Sequence, residues 1–383
     1  MFLWHTGLMP ATFDCIIIGA GPAGGTAAYH LAKGGRSVLV LEKAQLPRVK
    51  PCGGGVSPEI AGWFDFDFSP VINTRVSRVR YTYRGRDPVE ADMGTIEPLW
   101  MVRRDAFDAF LMQQAVARGA ALREGCAALG AHFRDGRWIV DTAEGPLQCR
   151  FLVAADGAKG PMAKWLGFTH RKYRVAGAIE AESRSKSTNL VHLDFGTVVN
   201  GYAWNFPKAD GWSFGVGIFR GKQNQDLRKI LAEYGLRFGL ELAECSVEAH
   251  PVLLWDGHQD LHTHQALLAG EAACVVDPFT AEGIRPSIFT GVKAAEAVDA
   301  ALAGESSALP RYSEIIMREV GAEMIWARRL AELFYRAPGT AYRLGVKHPA
   351  AAPHMARILV GEARYSELAE RAIKRLVQGV VGG

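Results

Sequence analysis

Asp14 to Glu42, DCIIIGAGPAGGTAAYHLAKGGRSVLVLE, constrains the fold of this 383-residue chain more than any other stretch. Cys15 to Ile18 is a short apolar, β-branched run, the pattern of a strand buried in a parallel sheet. It runs into Gly19-Ala20-Gly21-Pro22-Ala23-Gly24, after which Thr26 to Lys33 reads as helix and Gly34-Gly35 ends it. Ser37 to Leu41 is a second buried strand, ending on Glu42. Gly19 allows a tight turn and Gly21 lets the backbone approach a pyrophosphate. Gly24 lets the helix pack close to the strand, with its first N–H groups facing phosphates. Glu42, 23 residues after Gly19, is placed to accept hydrogen bonds from an adenosine ribose. A bare G-x-G-x-x-G is a weak signal; strand, glycines, helix, strand and acid in register are a strong one. The stretch reads as a dinucleotide site for FAD or NAD.

The length allows two or three domains, and 49% apolar with 22% charged residues is ordinary for a globular chain. A net charge of +4, with no basic tract interleaved with aromatics, argues against nucleic acid as a partner. Six scattered cysteines without a CxxC pair suit free thiols in a reducing cytoplasm. No apolar run reaches the roughly 18 residues of a spanning helix. Met1 to Ala11 lacks the basic start of a secretory signal, and either Met1 or Met9 could be the native start.

Beyond Glu42, a polar, proline-bounded loop leads to Cys52-Gly53-Gly54-Gly55, then to Ser57-Pro58, a helix cap with proline in the first turn. Three glycines are either a flexible loop or a backbone that must lie against something flat or charged. Val76–Tyr83 and Pro98–Val102 read as strands, Arg103–Ala117 as helix, and Ala131–Leu147 as a hairpin turning at Asp135-Gly136. Arg150–Ala155 is a strand ending at Asp156-Gly157. Four short strands between Val175 and Phe219 suggest an antiparallel sheet, and Asp226–Phe238 a helix. Gln265–Ala269 is a buried strand followed by Gly270-Glu271, and Phe289–Ala303 the next helix. Arg311–Arg375 reads as mostly helical, with twelve Arg/Lys against seven Glu. Its stripe of Ile316, Val320, Met324, Ala327 and Leu330 is either a cap packed on the core or part of a basic, aromatic-rimmed surface for an anionic membrane.

The expected fold class is α/β. A Rossmann-like dinucleotide-binding domain (12–70, 97–165 and 263–305) is interrupted by an antiparallel-sheet substrate domain (71–96 and 166–262), with a C-terminal helical region (306–383).

Three motifs converge on one cofactor. With the opening fingerprint, Ala155-Asp156-Gly157-Ala158 and Ala269-Gly270-Glu271-Ala272-Ala273 with Pro278 and Glu282-Gly283-Ile284 resemble the set of the aromatic-hydroxylase superfamily of flavoproteins. Within it the chain resembles the geranylgeranyl reductase family. The marks are the CGGG loop, Tyr202-Ala203-Trp204-Asn205-Phe206-Pro207-Lys208, Arg104 with Phe107-Asp108, and Gly361-Glu362-Ala363-Arg364-Tyr365. The resemblance implies reduction of prenyl double bonds by reduced FAD. It implies that Gly19, Gly21, Ala23, Gly24, Glu42, Lys43, Asp156, Gly157 and Glu271 bind the cofactor, Glu42 at the adenosine ribose and Glu271 at the ribityl chain. Arg104 and Ala128 would border the FAD, with Cys52, Gly53, Gly55, Gly283 and Ile284 near the flavin ring. Tyr202, Trp204 and Phe206, which alternate and so share one strand face, would line a prenyl tunnel.

Glu271 stands where that motif carries Asp, and Cys274 and Ala281 stand where it carries glycines, so Cβ atoms there are expected to crowd the flavin. A prenyl double bond offers no hydrogen-bond handle and needs a hydride and a proton; Cys52, Tyr202 or a bound water are the candidate proton donors. No second dinucleotide fingerprint is present, so NAD(P)H would dock transiently, or the electrons would come from a reduced ferredoxin acting as donor protein. His258, His262 and His264 lack ligand-spaced partners and are read as loop residues, not a metal site. The expected partner is a prenylated lipid or prenyl diphosphate, in the cytoplasm or peripheral on a membrane. An FAD monooxygenase or halogenase, and a non-catalytic flavin or lipid binder, are the competing readings.

Overall fold

The computed structural model describes residues 12–93, 97–184, 188–221, 224–349 and 351–367. The Met1-or-Met9 start and the segment 368–375 of the expected helical region lie outside them.

Two large sheets organise the chain. In the first, strand Thr12–Ile18 lies between Leu147–Ala154 and Val38–Leu41, parallel to both, with Ile16 opposite Leu152 on one side and Leu39 on the other. Ala121–Arg123 and Ala266–Leu268 extend the sheet, again parallel. Cys15, Ile16 and Ile17 are fully buried, which is why these strands read as continuous apolar runs without alternation. Helix Pro22–Lys33 packs with helix Ile284–Leu302, burying ten of its twelve residues.

The second sheet runs in the order Ser246–Trp255, Tyr173–Ser183, Gly211–Ile218, Gly201–Lys208, Val191–Phe195, Arg78–Tyr83 and Arg86–Asp92. Every pair is antiparallel except Val191–Phe195 with Arg78–Tyr83, where Val191 lies opposite Val79 in a parallel pair. The chain reaches this sheet in two separate visits, so those two strands are not joined by a hairpin. Strand Ser246–Trp255 has no counterpart in the sequence expectations. Glu248, His250 and Pro251 dilute its β signal, and the proline is tolerated because this is an edge strand.

Both main helices begin earlier than expected. The first starts at Pro22 and the later one at Ile284, each with a proline in its first turn, where no intrahelical N–H partner is lost. Ser57 caps Pro58–Trp63 as expected, accepting from Glu59 N–H, and that segment is 3₁₀ helix.

The C-terminal helices Ala308–Ile316, Ala322–Arg336 and Ala351–Leu359 turn their apolar stripe inward. Ile316, Met324 and Ala327 are buried, and Val320 and Leu330 half-buried. The tail then returns to the core: Val360 O accepts from Ser57 Oγ–H at 2.5 Å, and Tyr365 O–H donates to Asp277 Oδ2 at 2.8 Å. Among the described residues no helix is long and apolar enough to cross a membrane.

Candidate functional site

A cavity of about 560 Å³ is walled by residues of both sheets and the loops between them. Its first wall is the opening turn. Gly19 holds φ +103°, and a Cβ there would lie 2.9 Å from Ala155 C. Gly21 faces the cavity, with only Arg48 Nη2, 3.7 Å away, near the place a Cβ would take. Gly24 is behind the wall: a Cβ there would overlap Gly19 O, so it serves the close helix–strand packing. Helix Pro22–Lys33 has no side-chain cap, and Gly21, Pro22 and Ala23 at its start line the cavity. Helix Ile284–Leu302 starts at the cavity through Gly283 and Ile284, but there Glu282, also in the lining, caps it by accepting from Arg285 N–H at 2.8 Å through Oε1. The positive end of helix Pro22–Lys33 therefore faces the cavity, a ready site for an anion.

Glu42 is buried, with Oε2 accepting from Ala20 N–H at 2.9 Å and Oε1 from Ala44 N–H at 3.1 Å. It thereby fixes the glycine turn, and a carboxylate's remaining lone pairs stay open to a ribose hydroxyl. Arg48 reaches it at 3.4 Å and also reaches the fully buried Asp108 at 3.2 Å. Asp108 in turn holds Arg104, accepting from Nε at 2.8 Å and Nη2 at 2.9 Å. Asp156 Oδ2 accepts from Met162 N–H at 2.9 Å, while its Oδ1 is buried with no protein partner. Burial pushes that carboxyl's pKa up. An orphaned acceptor in a cavity wall is satisfied by a hydroxyl-bearing ligand. The uncapped helix start at Gly21, the turn cleared of Cβ atoms and the Asp156 oxygen fit an FAD.

Glu271 also lines the cavity, but its longer side chain reaches toward the second sheet. Oε1 accepts from Leu253 N–H at 3.2 Å and Oε2 is 3.7 Å from His250 Nε2. Lys50 Nζ completes the cluster, 2.5 Å from His250 Nε2. Burial lowers the Lys50 pKa to about 8, the nearby Glu271 charge opposing it.

The CGGG loop is pressed onto the second sheet. A Cβ at Gly53 would lie 2.7 Å from Phe206 Cδ2 and 3.4 Å from Trp204 Nε1, so only glycine admits these rings. Lys208, fully buried, donates from Nζ to Gly53 O at 2.7 Å and Val102 O at 2.8 Å. Cys52 is half-buried, its Sγ accepting from Gly54 N–H at 3.4 Å.

Register across the second sheet makes the cavity face two-sided. One row runs Glu248, Glu180, Gly215, Trp204, Leu193, Tyr81. The next runs His250, Ala178, Gly217, Tyr202, Phe195, Tyr83. Each row is polar at the Ser246–Trp255 edge and aromatic or aliphatic toward Arg78–Tyr83. Tyr202, Phe206, Thr280 and Leu359 are shared with a second, apolar cavity of about 50 Å³, walled also by Leu193, Phe195, Phe279 and Leu330. The Tyr202 hydroxyl donates to Thr280 O, and burial pushes the phenol's pKa up, which makes it a poorer acid.

Every residue singled out from the sequence as cofactor- or substrate-binding lines the larger cavity, Gly24 excepted. The crowding expected at Cys274 does not arise: it lies outside the cavity lining, its Sγ accepting from Arg171 Nη2 at 2.9 Å. Ala281 does line the cavity, and both residues hold the left-handed φ, 57° and 56°, that favours glycine. Arg48, Lys50, Glu180 and His250 were not singled out. No motif contains Arg48 or His250; Glu180 could have been found as a lone acid inside the apolar strand Ala178–Ala181. His262 Nδ1 lies 2.8 Å from Ser313 Oγ and His264 stacks on Phe133, and among the described residues no group of three or more His, Cys, Asp or Glu is placed to hold a metal.

This architecture is that of a flavoprotein, and residues 12–199 match the FAD binding domain family. The menaquinone reductase of Mycobacterium tuberculosis is 31% identical over 347 residues, covering 84% of this chain and 83% of the relative. Digeranylgeranylglycerophospholipid reductase 1 of Methanothermobacter thermautotrophicus is 27% identical over 345 residues, covering 83% and 85%. The crystal structure of a geranylgeranyl bacteriochlorophyll reductase-like protein from Thermoplasma acidophilum superposes with a TM-score of 0.77 at 21% identity, covering 85% of this chain and 88% of that one. The chain belongs to the geranylgeranyl reductase family of FAD-dependent oxidoreductases.

Proposed function

We propose that the protein saturates carbon–carbon double bonds in the prenyl chain of a lipid, quinone or prenyl diphosphate. The observation that carries this reading is the two-sided cavity: charged and hydrogen-bonding at the cofactor end, aromatic and aliphatic at the other. The names of the two relatives share a substrate bearing a polyisoprenoid chain, which has no polar handle along its length.

FAD would be held by the turn at Gly19–Ala23, by Glu42, by Asp156 Oδ1 and Arg104, and by the helix start at Gly283-Ile284. When reduced, it supplies the hydride. The protein's own part is to lay the alkene in the cavity beside the CGGG loop, against the aromatic face that Tyr202 and Trp204 present, to exclude water there, and to furnish a proton. Because the sequence carries a single dinucleotide fingerprint, the reductant is proposed to be transient, NAD(P)H or a reduced ferredoxin. Exposed Leu333 and Leu344 on the C-terminal helices are where a peripheral membrane contact would form.

The test is anaerobic turnover with chemically reduced flavin and a geranylgeranyl lipid, read by mass spectrometry. Products heavier by two hydrogens per event support the reading. Substrate-dependent O₂ consumption with oxygen in the product would overturn it in favour of a monooxygenase or halogenase.

A further inference from the structure

Glu180 sits where the polar and apolar halves of the cavity meet. In its cross-strand row the next residue is Gly215, which has no side chain, and beyond that comes Trp204. A Cβ at Gly215 would overlap the Trp204 ring, so the indole lies over the glycine toward Glu180. The carboxyl is buried, lines the cavity, and is held by Ser213 Oγ–H, which donates to Oε1 at 2.9 Å. The Cys52 backbone N–H also faces it.

We propose that Glu180 is the general acid of this site, giving its carboxyl proton to the alkene carbon that does not receive the hydride. The proposal rests on the reductase reading above. One saturation replaces the π bond with two C–H bonds. The hydride, with its electron pair, comes from the reduced flavin, which ends oxidised. The proton comes from Glu180 O–H, and the resulting carboxylate regains a proton from water.

The other candidates are less well placed. The Tyr202 hydroxyl is spent on Thr280 O. The Cys52 thiol is half-buried and faces its own loop amide. The charges around Glu180 come from several elements: Lys208 on the aromatic strand two places away, Glu182 on its own strand, and Glu248 on the edge strand. Glu182 is paired with Arg103 at 2.6 Å. Burial pushes the Glu180 pKa up, against the Ser213 hydrogen bond, the Lys208 charge and the Cys52 N–H, which favours the carboxyl in its proton-holding form. A general acid of this kind works best when its pKa lies near the operating pH.

The experiment compares the FAD-loaded wild type with Glu180→Gln and Glu180→Asp. Glu180→Gln is expected to keep its flavin absorbance, to lose turnover by about 10²–10⁴-fold, and to lose the neutral limb of the pH profile. Glu180→Asp keeps that limb with a smaller loss. Independently of turnover, infrared titration of the wild type is expected to show a protonated-carboxyl C=O band that fades as pH rises through neutrality and is absent from Glu180→Gln. If the wild type reduces a prenyl lipid and Glu180→Gln does so at the same rate, Glu180 is not the acid while the reductase reading stands. If the wild type reduces none, that reading fails and takes this proposal with it. Absence of the infrared band overturns the Glu180 assignment by itself, including where Glu180→Gln does not fold.

Discussion

Trp204 lies across Gly215, its indole occupying the space that any side chain at 215 would need. The neighbouring pair repeats the device, since a Cβ at Gly217 would lie 2.5 Å from Phe219 Cζ. Gly215→Ala should therefore displace the Trp204 ring while leaving the fingerprint and its flavin untouched. A displacement near 1 Å at a substrate-positioning group costs about 10²-fold in rate. Unchanged kcat/KM on a prenyl substrate, with the flavin spectrum intact, would show that the ring is not a substrate wall.

Lys208 fastens the CGGG loop from beneath through Gly53 O and Val102 O. Burial lowers its pKa, and the Glu180 charge opposes that. Lys208→Met leaves the Gly53 and Val102 carbonyls without their buried donor, a loss of about 1–3 kcal/mol for each. Chemical denaturation should register that loss, and a flavin titration should show weaker FAD binding because the loop is no longer pinned.

His30 and His192 both contribute to the loss of stability on acidification. Burial lowers both to about 4, with the Lys33 charge adding at His30 and the Arg80 charge at His192. The unfolded chain, with ordinary imidazoles near 6.5, then binds more protons than the folded one between those values. Stability is present above about pH 6.5 and is lost as pH falls toward 4. His192→Phe, which keeps an aromatic contact for Phe238, should lose less on acidification than the wild type. Denaturation midpoints at pH 7 and pH 4.5 decide it; an equal loss in both proteins would remove His192 from the account.

Ala281 holds φ 56° in the cavity wall, a conformation that costs an L-residue about 1–2 kcal/mol. Ala281→Gly relieves this strain but gains unfolded-state entropy, leaving a net stabilisation of about 0.5–1 kcal/mol. Thermal melts of the FAD-loaded variant should rise by about one degree, and a lower melting temperature would mean that the alanine methyl makes a packing contact worth more than the strain.

The sequence determined the local half of this protein. The run Asp14–Glu42 carries its own strand, turn, helix and acid, because glycine freedom at Gly19, close packing at Gly24 and apolar continuity at Cys15–Ile18 are properties of neighbouring residues. The DG and GE segments, the CGGG loop and the alternating Tyr202, Trp204 and Phe206 were legible for the same reason. Tertiary structure decided what depends on register between distant strands. It set Glu180 in a row with Gly215 and Trp204, brought His250 from an edge strand to Glu271, and drew Lys208 under a loop 155 residues earlier in the chain. Strand pairing is a long-range choice, so no short window of sequence contains it. The polar residues it gathers into the cavity look, residue by residue, like any others in a sheet.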